Sequence, residues 1–220
     1  MATVRPPPTP RRPKPWDAPA QPPAGAPTRD AVFLEVGRAL SAWEAVESNL
    51  AYIFATLVTP RGSQLAALRA YGSVLTARGR IEMMVAAAAA FFFGQEGVQE
   101  HAAIRNLLEE VAGFAGRRND IAHGIVGRYD IGPPASRRAT PSYVLGPPQY
   151  ATKKTMLKPR RSLAEVVHHA PRYAYSDVQI DAFRRQFARL ERHAVGVWID
   201  LIVFAERLPS SPRKRLPPPS

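Results

Sequence analysis

Between residues 177 and 207 the apolar side chains Phe183, Phe187, Leu190, Ala194, Val197, Leu201 and Phe204 recur in alternating steps of four and three. An α-helix turns once in 3.6 residues, so this alternation lines one face of a helix roughly 45 Å long. A strand, whose side chains switch faces at every residue, cannot use it. Ser176 and Gln179 form a capping-box pair at its start, Ser-Asp-Val-Gln. A stripe of that length has to be buried against other helices, which points to an all-α architecture. Val195, Trp198, Ile199 and Ile202 widen the apolar surface of its second half and suggest burial on two sides, within the bundle and against a second subunit.

Three further helical patterns precede it. Thr28 is placed to cap a helix over residues 30–58, with Phe33, Val36, Leu40, Trp43, Leu50, Phe54 and Leu57 as its stripe and Thr59-Pro60-Arg61-Gly62 as its stop. Glu47 falls on that stripe, where an isolated carboxylate would be costly. Arg118 is the natural partner for it and Arg80 the rival. A second pattern covers residues 63–93, with a break at Tyr71-Gly72-Ser73; its apolar end, residues 83–93, is too short to span a bilayer and reads as buried or as part of a subunit interface. Gly94 stops it, and a third helix spans residues 95–123 with Ile104, Leu107, Leu108, Val111, Phe114 and Ala115 on one face. Gly124 is expected to take the left-handed position beyond it. The sum is a bundle of four principal helices over residues 29–208.

The rest of the chain is of another kind. Residues 1–28 are dense in proline and read as a disordered arm with no apolar core of a secretory signal; residues 209–220 form a basic, disordered tail. Residues 125–175 lose the helical period and carry prolines at 133, 134, 141, 147, 148, 159 and 171, marking a long basic insertion, with short strands at 125–131 or 142–145. The formal net charge of +12 sits in these segments and leaves the helical part close to neutral. Binding of a polyanion and plain solvation of disordered segments are both open. Lys153, Lys154, Lys158, Arg160 and Arg161 are the RNA-binding candidates of the insertion. No cysteine is present, so disulfides and thiolate metal sites are excluded. A metal site is not expected, nor any membrane association, and the expected location is the cytoplasm. P-loop, dinucleotide-binding and serine-elbow motifs are lacking.

At the end of the third helix stands Arg117-Arg118-Asn119-Asp120-Ile121-Ala122-His123-Gly124. Helical geometry sets Arg118 and Asn119 toward the core side and Asp120 on the back, with His123 one turn beyond Asn119. Polar residues on a core stripe break the local pattern, and such breaks gather at functional sites or buried ion pairs. The run R-N-D-I-A-H resembles the R-x4-H motif of the HEPN superfamily, small all-helical domains that include metal-independent endoribonucleases of toxin-antitoxin and defence systems. The resemblance is carried by six letters and by the helical organisation. It implies a four-helix HEPN-like fold, His123 as proton-transfer residue, Arg118 as phosphate clamp and Asn119 as the group orienting either, with Glu47 in support. It also implies an RNA substrate, no cofactor, a homodimer pairing two motifs, and an antitoxin or other protein partner. The competing reading is structural: a histidine before a glycine is an ordinary helix end, and Arg118 pairs with Glu47. Under it the chain is a non-catalytic helical dimeric module that binds RNA or a protein partner.

Overall fold

The computed structural model describes residues 13–20, 25–129, 142–148 and 173–208. Its elements in chain order are α1 (Arg29–Val58), α2 (Leu65–Ser73), α3 (Ala77–Phe91), α4 (Val98–His123), β1 (Ile125–Tyr129), β2 (Ser142–Gly146) and α5 (Asp177–Arg207). The protein is mostly helical, and the expected helical domain divides into two compact units, each drawing on segments of the long helices. Among the described residues no helix is long and apolar enough to cross a membrane.

One unit lies within Ser41–Gly116 and Phe187–Ser220. Its core is aromatic and aliphatic. Trp43 of α1 meets Phe187 of α5 edge-on at 5.1 Å, and Phe114 of α4 meets the same ring at 5.8 Å. The α4 face expected from sequence is buried at Ile104, Leu107, Leu108, Val111 and Phe114, with Ala115 half-buried. Each such side chain removed from water contributes about 1.5–3 kcal/mol. The second helical pattern resolves into two helices, broken at Val74 to Thr76, just past the expected position. There Val74 is extended, and the Thr76 hydroxyl caps α3 by accepting from the Gly79 amide. Of the apolar run at its end, Met84, Ala88 and Phe92 are buried in one stripe, whereas Val85 and Phe93 are exposed. Gly94, at φ 71°, stops the segment in the left-handed region as expected.

The other unit lies within Met1–Leu40 and Arg117–Gln186. Both strands named in the expected insertion form, and they pair antiparallel with Ile125 opposite Gly146 and Tyr129 opposite Ser142. The other edge of β2 is met by two distant segments: Tyr143 bridges to Ala26, and Leu145 to Tyr175. Residues 13–20 and 25–28, within the stretch expected to be a disordered arm, thus make defined contacts; Arg117 and Gln179 also donate to the Trp16 and Pro19 carbonyls. Residues 1–12 and 209–220, and Lys153, Lys154, Lys158, Arg160 and Arg161, lie outside the described residues.

Two expectations are corrected here. The first turns of α1 bury Val32 and Ala39, not Phe33, which is 55% exposed. Tracing the buried series back from Trp43 in steps of four and seven residues reaches Ala39 and Val32, so Phe33 lies one position off the face. Gly124 is not left-handed; the chain passes straight into β1, and glycine is required because a Cβ there would lie 2.5 Å from Leu145 Cγ.

Candidate functional site: the end of helix α4

The last turns of α4 continue its buried stripe through Phe114 to Ile121, and Arg118 lies on that line, half-buried. Its Nη1 is 3.4 Å from Asn119 Oδ1, at the long end of hydrogen-bond range. Contrary to the expectation that both face the core, Asn119 does not follow Arg118 inward; it is exposed, and so is His123 one turn later. The candidate trio is therefore a half-buried guanidinium beside an exposed amide and an exposed imidazole, all on one helix end.

Asp120, expected on the outer face, is instead half-buried in a network that sequence reasoning missed. The Tyr175 hydroxyl donates to Asp120 Oδ2 at 3.0 Å. Arg117 Nη1 donates to the same Oδ2 at 3.2 Å and to the Tyr175 hydroxyl at 2.9 Å, while its Nε reaches the Trp16 carbonyl at 2.9 Å. Tyr173, stacked on Tyr175 with ring centroids 4.9 Å apart, donates its hydroxyl to the Asp120 carbonyl at 3.0 Å. That carbonyl is one of the four at a helix end that lack a partner within the helix, so Tyr173 closes the turn that carries His123. Burial, reinforced by the Asp120 charge, pushes the Tyr175 pKa well above its ordinary value; Arg117 opposes the shift. Tyr175 is thus a neutral donor at physiological pH. The available signals were the three-residue spacing of Arg117 and Asp120 and the alternation Tyr173-Ala-Tyr175, which puts both rings on one side of an extended segment.

No protein-family model, curated protein or solved structure matches this chain.

Glu47 is buried in the other unit and accepts from Arg80 Nη1 at 2.9 Å, Tyr71 Oη at 2.8 Å and Trp43 Nε1 at 3.2 Å. Its cation is the rival candidate, Arg80. Three donors on one carboxylate satisfy most of its lone-pair directions, which is what a buried charge requires. Among the described residues no group of three His, Asp or Glu side chains is placed to hold a metal ion.

A helix end that carries a solvent-facing imidazole, an exposed amide and a guanidinium has the groups to bind an anion and exchange a proton with it. Histidine can take up or give a proton, and arginine presents a fork of donors to phosphate oxygens.

Proposed function

We propose that the protein is a metal-independent endoribonuclease of HEPN type, acting as a homodimer in the cytoplasm, in a toxin or defence role. The observation that carries this reading is the exposure of His123 and Asn119 on the last turn of α4 beside the Arg118 guanidinium, on a turn held by Arg117, Asp120, Tyr173 and Tyr175. A rigid helix end is what a catalytic group needs in order to meet a phosphodiester repeatedly in one geometry.

In the proposed reaction the ribose 2′-oxygen attacks the adjacent phosphorus while its proton passes to an imidazole. The bond to the 5′-oxygen breaks, and that oxygen takes a proton from a second acid, leaving a 2′,3′-cyclic phosphate and a free 5′-hydroxyl. Arg118 stabilises the charge that builds on the non-bridging oxygens. His123 is one imidazole for two proton transfers, so a second copy across a two-fold axis supplies the other. Glu47 is left out of this scheme, because Arg80 already neutralises it.

The test is RNA degradation in EDTA. The full chain should yield cyclic-phosphate ends, and His123→Ala should abolish them with the melting temperature within a few degrees of wild type, since an exposed histidine at a helix end contributes at most about 1 kcal/mol. Cleavage persisting at the wild-type rate in His123→Ala would sink the catalytic assignment. The second reading, a non-catalytic helical dimer that binds RNA or a protein partner, draws on the exposed apolar side chains Val85, Phe93, Ile199 and Val203. It predicts binding without cleavage.

A further inference from the structure

Away from His123, a shallow groove runs between the first turns of α4 and the last turns of α5. Two adjoining hollows of about 370 and 560 Å³ share Gln99, Glu100, Phe204 and Arg207 as walls. Apolar surface comes from Val98, Ala103, Val203 and Phe204, and Val98 is 76% exposed. Glu96, Glu100 and Asp200 stand around it against the single cation Arg207. Among the described residues these three carboxylates make no ion pair. The groove is thus apolar within and acidic around its edge, on a chain whose net charge is +12. It suits a short extended segment with cations flanking an apolar side chain.

The chain supplies one at the groove itself. Leu208 lines the wall, and the sequence continues from it as Pro-Ser-Ser-Pro-Arg-Lys-Arg-Leu-Pro-Pro-Pro-Ser. Those residues, 209–220, contain Arg213, Lys214, Arg215 and Leu216 and no acidic side chain. Length permits the return. A proline-rich strand advances about 3.1 Å per residue, so Arg213 can reach roughly 15 Å from Leu208. Asp200 lies only about 12 Å back along the helix. Charge, apolar content and point of departure agree. We propose that residues 209–220 dock in this groove of their own chain, Leu216 on the apolar surface and the three cations against Glu96, Glu100 and Asp200.

The chain has no cysteine, so a nitroxide can be placed at one site by Ser220→Cys in the otherwise intact protein. At low salt the label should broaden the amide signals of Gln99, Glu100, Ala103 and Val203 severalfold more than in the Glu100→Lys, Asp200→Lys double variant. The broadening should also fade in the unsubstituted groove as salt is raised to about 0.5 M, where exposed charges are screened. The salt series carries the test by itself if the double variant folds poorly. Groove signals that never broaden, or that broaden equally with reversed charges, would overturn the proposal. Broadening that persists when isotope-free labelled chain is mixed with enriched unlabelled chain would move the occupant to a second copy and overturn the assignment to the same chain.

Discussion

Thr28 caps α1 by accepting from the Ala31 amide at 3.2 Å, and Ser176 and Gln179 exchange both capping-box hydrogen bonds, as their sequence spacing says. Glu47 was legible as a buried carboxylate in need of a cation, but the choice between Arg80 and Arg118 depends on which helix packs against it, and a helical wheel holds no such information. The geometry makes the difference measurable. Arg80→Ala leaves Glu47 buried without its cation and should cost about 3 kcal/mol in urea denaturation. An Arg80→Ala protein as stable as wild type would refute this pairing. Two tyrosines set the alkaline behaviour. Burial, with the neighbouring carboxylates Glu47 and Asp120 adding to it, raises the hydroxyl pKa of Tyr71 and Tyr175. The unfolded chain releases those protons near pH 10 while the folded chain keeps them, so this stability is fully present below about pH 10 and declines above it. The decline is about 1.4 kcal/mol per pH unit for each tyrosine, and Tyr175→Phe should remove roughly half of the slope.

At the level of elements, helix type and position could be read because each helix writes its period into a long run of side chains, and α5 matches its expected bounds. Short strands have no such redundancy. The ribbon of β1 and β2 is visible in the sequence only as two alternative short segments, 125–131 and 142–145, and the contacts of Ala26 and Tyr175 with β2 are not visible, since one bridge on each side leaves no pattern. Gly124 shows the same limit. Its place after a helix suggested a turn residue, while its real constraint is the approach of Leu145 from β2. Gly124→Ala should therefore destabilise the protein by about 1–3 kcal/mol through overpacking, with added protection lost at the β1 amides in hydrogen exchange. A Gly124→Ala protein as stable as wild type would mean that Leu145 moves aside freely.

For the whole molecule, the apolar excess on α5 at Val195, Trp198, Ile199 and Ile202 suggests a second interface, and the structure leaves Ile199 52% exposed and the other three half-buried. If this surface closes a two-fold, sedimentation at micromolar concentration should give a dimer, and Ile199→Asp should return it to monomer while the helical signal is kept. Monomer alone in the wild type would remove both the dimer and the composite site. The bridges to β2 have one more implication, which concerns time. Ala26 can find Tyr143 only after more than a hundred further residues have been made, and Leu145 must then wait for Tyr175. The other unit likewise lacks its α5 wall until residues 187–208 emerge. At about 5–20 residues per second, the amino-terminal segment spends several seconds or more outside the ribosome before the strand it pairs with exists. Neither unit can complete its contacts until its share of the last helix has been synthesised.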